Sequence, residues 1–264
     1  MSHLITRRSV ALGLPALALA GTLARPAFAA TAEEILRETD RLRNPQRSFR
    51  SKIKLTDYVS GKKNDELEIT VFSKPRPNDG QFRSLVHIDK PRKDAGKIML
   101  RDGKELFFYD PDAANTIRIS PQQRLLGQAS NGDVMTTNFW RDYSASLKGT
   151  ETVQDSRKKN RTCHALKMKA KTRAAVYGSI DFWVDSSNNY PVKGRFYSAS
   201  GKLLKIAFYD GFRDVLGTTR PTKVLIVDGL NSRNVTTMDF GKFKLVDLPN
   251  GWFQKSYLPK FSYS

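Results

Sequence analysis

Residues 86–120 read VHIDKPRKDAGKIMLRDGKELFFYDPDAANTIRIS, and the punctuation of this stretch decides the fold. Asp102-Gly103 stands between two strand-like runs, Gly96–Arg101 and Glu105–Asp110. A tight hairpin turn needs positive φ, which an Asp-Gly pair supplies, so the pair predicts a β-hairpin. Asp110-Pro111-Asp112 marks a second turn, and Thr116–Ser120 returns as a third strand. The stretch is a β-meander. Side chains alternate across a strand, so Phe107 and Tyr109 share one face while Leu106 and Phe108 share the other. A strand apolar on both faces is either sandwiched or divides a core from a hollow.

The same grammar runs through the flanking chain. Upstream, Phe49–Tyr58 places Ile53 and Leu55 on one face, and Glu66–Phe72 alternates with Leu67, Ile69 and Val71 inward. Gln81–Asp89 follows with Leu85 and His87 opposite Val86 and Ile88. Downstream, strands resume at Thr162–Ala170, Gly178–Asp185, Pro191–Ser198, Leu203–Tyr209, Pro221–Asp228 and Arg233–Phe243. Hairpin strands at this spacing define an all-β sheet or barrel of about eleven or twelve strands, and a sheet that large must curl. Two stretches break the period. Thr31–Arg43 carries a Thr31/Glu34 capping box, with Ile35, Leu36 and Leu42 on one side, and predicts a helix stopped at Asn44-Pro45. Pro121–Gly149 has no period of two and predicts loops and one or two helical turns lying over the sheet. Leu248–Ser264 predicts a short closing element. No composition shift marks a linker, so residues 30–264 form one domain, a strongly curved antiparallel sheet with helices on its concave side.

Residues 1–29, MSHLITRRSVALGLPALALAGTLARPAFA, are an address rather than structure. Arg7-Arg8 precede a short apolar run, and Ala27-Phe28-Ala29 is a small-x-small cleavage box, the pattern of an export signal cleaved near Ala29. Thr6-Arg7-Arg8-Ser9 is twin-arginine-like, but Val10 stands where an aromatic is usual, so the general secretory route stays open. The expected location is the periplasm.

The chain has 264 residues, 39% hydrophobic and 27% charged, a globular balance. Its net charge is +19, with Lys/Arg-rich runs at Arg47–Lys54, Lys90–Lys97, Arg157–Arg161 and Lys167–Arg173. Such an excess either solvates a surface or attracts anionic partners such as a membrane surface, and export argues against nucleic acid. Catalytic sets are sparse. Cys163 and His164 are strand neighbours and point to opposite faces, so they form no nucleophile–base pair. No metal-ligand cluster, phosphate loop or dinucleotide fingerprint occurs, so neither metal, cofactor nor enzyme activity is expected.

In order along the chain, Glu34-Ile35-Leu36 with Asp40-Arg41, Arg83-Ser84-Leu85, Lys90-Pro91, Gly96–Leu100, Phe107–Pro111, Ile117-Arg118-Ile119 and Asn138–Asp142 resemble the periplasmic outer-membrane lipoprotein-sorting, or LolA-like, proteins over residues 32–260. Asn138 departs from an acid common there, and Phe107 from a Trp. The resemblance implies an incomplete barrel of about eleven antiparallel strands capped by helices. It further implies an apolar cavity that carries acyl chains of a lipoprotein or lipid, with an inner-membrane transporter as a partner. No lipidated cysteine follows the signal, which fits a carrier rather than an anchored acceptor. The lining expected is Ile53, Leu55, Leu67, Ile69, Met99, Phe107 and Tyr109 from the sheet, with Leu125, Leu126, Phe139 and Trp140 from the cover. The alternatives are an accessory subunit of an envelope export machine and an enzyme acting on envelope lipid or glycan.

Overall fold

The computed structural model describes residues 30–263, so the export signal predicted over residues 1–29 lies outside the described residues. Helix α1 (Ala32–Arg43) begins at the predicted cap: Thr31 Oγ1 accepts from the Glu34 amide at 3.2 Å, and the Glu34 carboxylate accepts from the Thr31 amide at 2.8 Å. Ile35 and Leu36 turn its apolar side onto the sheet.

The first half of the sheet follows: β1 (Phe49–Val59), β2 (Lys62–Pro75), β3 (Phe82–Lys90), β4 (Ile98–Asp102), β5 (Glu105–Asp110) and β6 (Asn115–Arg118). Between β4 and β5 the closing pair is Asp102 and Glu105, so the two-residue turn is Gly103-Lys104, not Asp102-Gly103. Gly103 takes φ 62° at the first central position, the place a type II′ turn gives to glycine. A cover then crosses the sheet: β7 (Arg124–Leu126), β8 (Ala129–Ser130) and one turn of helix, α2 (Phe139–Asp142).

The second half comprises β9 (Tyr143–Gln154), β10 (Asn160–Ala170), β11 (Ser179–Asp185), β12 (Pro191–Tyr197) and β13 (Leu203–Asp210). A small hairpin, β14 (Arg213–Val215) and β15 (Thr218–Arg220), precedes β16 (Lys223–Asp228) and β17 (Asn234–Leu245). Strand β9 corrects the sequence reading, which left residues 143–149 irregular and resumed strands only at 162. Its residues after Tyr143 are mostly exposed on both faces, so it carries no inside–outside pattern for periodicity to find.

Thirteen of these strands form one antiparallel sheet in the order β6-β5-β4-β3-β2-β1-β17-β16-β13-β12-β11-β10-β9. The two halves join where β1 pairs with β17, from Phe49 opposite Leu245 to Val59 opposite Asn234. An irregularity in that ladder, between Ser51/Phe243 and Ile53/Phe240, adds local twist. The sheet is not closed: β6 and β9 are its free ends.

Alternation sorts the core into layers. On the concave face lie two clusters, one around Leu166, Ile180 and Phe182 under α1, the other around Leu55, Ile69 and Met99 under the cover. The opposite face of β2–β5 carries Phe72, Leu85, Leu100 and Tyr109, sealed by Leu248 and by Phe253 and Leu258 of the carboxyl-terminal 3-10 turns. Tyr263 fastens that tail by donating to Asp89 at 2.6 Å. This is why β5 is apolar on both sides.

Candidate ligand-binding cavity

A cavity of about 120 Å³ lies where the concave face meets the cover. Its floor comes from the central strands: Ile53 of β1, Val71 of β2, Ala207 and Tyr209 of β13, Val224 and Ile226 of β16, Met238 and Phe240 of β17. Its roof is Gly132–Thr137 and Phe139 of the cover, with Val176 and Tyr177 from the loop after β10. The lining is mainly apolar, drawn from both halves of the sheet.

Of the residues expected from sequence, Ile53 and Phe139 line the hollow. Leu55, Leu67, Ile69 and Met99 face the same side but are consumed in the packed cluster beneath the cover. Leu125 and Leu126 lean on that cluster from β7. Trp140 packs at the rim of the α1 cluster, sandwiched between the guanidinium groups of Arg37, at 4.0 Å, and Arg141, at 3.6 Å. Phe107 and Tyr109 lie on the other side of the sheet. The pairs Met99/Phe108 and Leu100/Phe107 put Phe108 and Leu106 inward, while Phe107 and Tyr109 pack beneath the carboxyl-terminal tail. With both faces apolar, composition could not tell inside from outside.

Polar latches hold the cover down. Lys205, on the inward register of β13 with Ala207 and Tyr209, reaches the cover through Asp133 Oδ2 at 2.5 Å and Gln128 O at 2.7 Å. Asp133 also accepts from the Ser130 amide, the Ser130 hydroxyl and the Tyr177 hydroxyl. Burial alone would raise the Asp133 carboxyl, but Lys205 and these donors hold it below the usual carboxylate range. Burial, with the Asp133 charge beside it, pushes the Tyr177 phenol well up.

A second latch works at the α2 end. Asn44 donates to Thr137 O and Asn138 Oδ1, and Gln81 both accepts from the Asn138 amide and donates to Asp142. Arg101, buried on β4, donates to Thr137 Oγ1 and Asp142 Oδ2, each at 3.1 Å. Asp40 of α1 accepts from the Trp140 amide at 2.9 Å and pairs with Arg43 at 2.6 Å. Periodicity nominated none of Lys205, Asp133, Arg101 or Gln81. The available signal was a cation in an otherwise apolar inward register: Lys205 before Ala207 and Tyr209, Arg101 after Met99.

Burial raises the Asp40 carboxyl from an ordinary value of 3.8 to about 7, against the pull of Arg43 and the Trp140 and Phe139 amides. A raised acid favours the folded state while protonated. Its contribution is complete below 3.8 and is lost as pH climbs through about 7. The urea midpoint should therefore fall between pH 5 and pH 8, and Asp40→Asn should flatten that slope. A slope unchanged by the substitution would assign the pH dependence elsewhere.

Nucleophilic chemistry finds no support in the thiol. Cys163 is buried on the outer face beside Ala165, Trp183 and Val192, and burial pushes it up to about 12. Among the described residues no group of three or more His, Cys, Asp or Glu side chains could hold a metal, and no helix is long and apolar enough to cross a membrane.

The curved, open antiparallel sheet is a fold shared with solved relatives. A LolA superfamily protein from Nitrosomonas europaea is 35% identical to this chain, over 87% of this chain and 100% of that one, with a TM-score of 0.77. The chain belongs to the LolA superfamily. A family profile described as an uncharacterized protein matches residues 80–260. The fold is shared with a DUF1329 family protein from Desulfovibrio piger (20% identity, 86% of this chain, 97% of that one, TM-score 0.73). It is shared too with a putative outer membrane lipoprotein-sorting protein domain from Vibrio parahaemolyticus (16% identity, 86% and 98%, TM-score 0.72). No curated protein matches the sequence.

Proposed function

We propose that this protein is a periplasmic carrier, not an enzyme, that shields acyl chains of a lipidated protein or lipid on the way to the outer membrane. The observation that carries the reading is an unfilled apolar hollow between the sheet and a cover fastened by a few polar latches. One water needs roughly 10–15 Å³ of such space, so about ten water-sized groups fit. Methylenes are of similar size. Roughly ten of them at about 0.8 kcal/mol each give on the order of 8 kcal/mol, the scale of a micromolar affinity before ordering costs. A longer chain requires the cover to lift, which the latches permit because they are side-chain contacts rather than sheet pairing. The export signal and the sorting relatives support the periplasm as its place, with an inner-membrane transporter as donor.

Ala207 provides the test. It is buried on the floor of the hollow, and a large ring there occupies the space an acyl chain needs. Delipidated protein should bind a fluorescent fatty acid saturably, and Ala207→Trp should weaken binding by about tenfold or more, the cost of displacing one or two methylenes. Thermal unfolding of the variant controls for overpacking. A wild-type protein that takes up no fatty acid would refute the carrier reading.

A further inference from the structure

We propose that the gap between the β6 edge of the sheet and the loop after β10 is a docking site for the phosphate headgroup of an anionic diacyl lipid, whose chains pass from there into the hollow. The inference rests on the carrier reading above. The gap is a wide concavity of about 530 Å³. On one side stand Lys104 and Arg118, from the β4–β5 turn and β6; on the other is Arg173, from the loop after β10. Its apolar floor is Leu106 and Ile119, and Leu106 belongs to the packed inner cluster against which Ile119 lies. A cationic rim over an apolar floor matches an amphiphile with a negative head.

Several cations in the Lys/Arg-rich runs are engaged by carboxylates elsewhere. Lys54 pairs with Glu66, Lys97 with Asp94, Arg157 with Asp210, Arg161 with Asp155 and Lys167 with Asp181. Lys104 and Arg173 make no salt bridge among the described residues. Arg118 meets Glu105 at 3.1 Å, yet its side chain is 66% exposed, leaving guanidinium edge free for a phosphate. Three cations against one neighbouring carboxylate leave the gap net positive.

The gap also abuts the hollow. Pro121 and Gln122 face the gap, and Gly132, whose amide donates to Pro121 O at 2.9 Å, faces the hollow. Likewise Ala174 borders the gap while Val176 borders the hollow. Gln122 Nε2 donates to Ala175 O at 3.0 Å and bolts the two walls together. Gly132 and Val176 complete the seal: a β-carbon on Gly132 would fall 2.5 Å from a Val176 methyl. The partition is thus one layer of chain, held to the loop after β10 by side-chain hydrogen bonds from Gln122, Ser130 and Tyr177.

The test uses vesicles of neutral phosphatidylcholine carrying a minor fraction of fluorescent phosphatidylglycerol or of diacylglycerol with the same chains. Wild-type protein at low salt should extract the anionic lipid about tenfold better, the effect expected of a few basic side chains at a lipid surface. Lys104→Gln/Arg118→Gln/Arg173→Gln, all exposed substitutions, should bring the two lipids level while leaving diacylglycerol extraction unchanged. A preference that survives in the triple variant, or none in the wild type, overturns the docking site and leaves the carrier reading standing. Extraction of neither lipid overturns both. Chainless glycerol phosphate binding as tightly as the lipid would reassign the gap to a free phosphate compound and overturn the proposal.

Discussion

Lys205→Met should lower the stability of the protein by about 3–5 kcal/mol, read from urea unfolding at neutral pH. Methionine keeps the length and the packing on Tyr177 but removes the only counter-charge touching Asp133 among the described residues. That carboxylate would stay mostly buried with hydroxyl and amide donors alone. The cost of such a site is the uncompensated charge rather than the lost hydrogen bond. The pH response should change with it. In the wild type the depressed Asp133 carboxyl contributes stability above its ordinary range, near 3.8, and loses it as pH falls below. In Lys205→Met only the Ser130 and Tyr177 donors oppose burial, the carboxyl rises, and the variant should weaken as pH increases toward 8. Lys205→Met/Asp133→Leu should recover most of the loss, since an apolar pair of similar volume replaces a buried ion pair at little cost. A single variant within about 1 kcal/mol of wild type would show that the pair is solvated after all.

Phe182→Ala should cost about 3–5 kcal/mol as well, by a different route. Phe182 is fully buried on β11, and its ring stands edge-on to Phe139 of the cover at 5.8 Å and to Tyr209 of β13 at 5.9 Å. It is the point where cover and sheet lean on one side chain. Removing it deletes the transfer energy of an aromatic and leaves a cavity beside an existing hollow, where the neighbours have little to collapse onto. Phe182→Leu should cost less than half as much by the same unfolding measurement, because it restores most of the volume. Equal losses for the two would point to the ring contacts themselves rather than to volume.

How much of this was legible beforehand depended on what each segment buries. The capping box at Thr31 and Glu34 and the inward pair Leu67 and Ile69 could be read because α1 and the start of β2 alternate wetter polar residues with buried apolar ones. Strand β9 escaped because it is wet on both sides, and the orientation of β5 escaped because it is dry on both. The cavity was harder still. Sequence identifies residues that avoid water, but whether they meet one another or an empty space depends on how far the cover stands off. Ile53 and Leu55 lie two apart on one face of β1, yet Ile53 borders the hollow and Leu55 fills the cluster next to it. The latches escaped for another reason: Asp133 and Lys205, or Arg101 and Asp142, are partners only once the sheet has bent.

The seam between β1 and β17 bears on how the chain reaches this state. It unites the first strand with the last of the sheet, so each half can zip up as a local meander while the join waits for segments almost two hundred residues apart to find each other. Ile53 and Val71 come from the early half and Ala207, Ile226 and Met238 from the late one, so no partial product of synthesis owns a complete container. A nascent fragment of this protein would expose oily half-shells, and the hollow closes only when the final strand of the sheet docks.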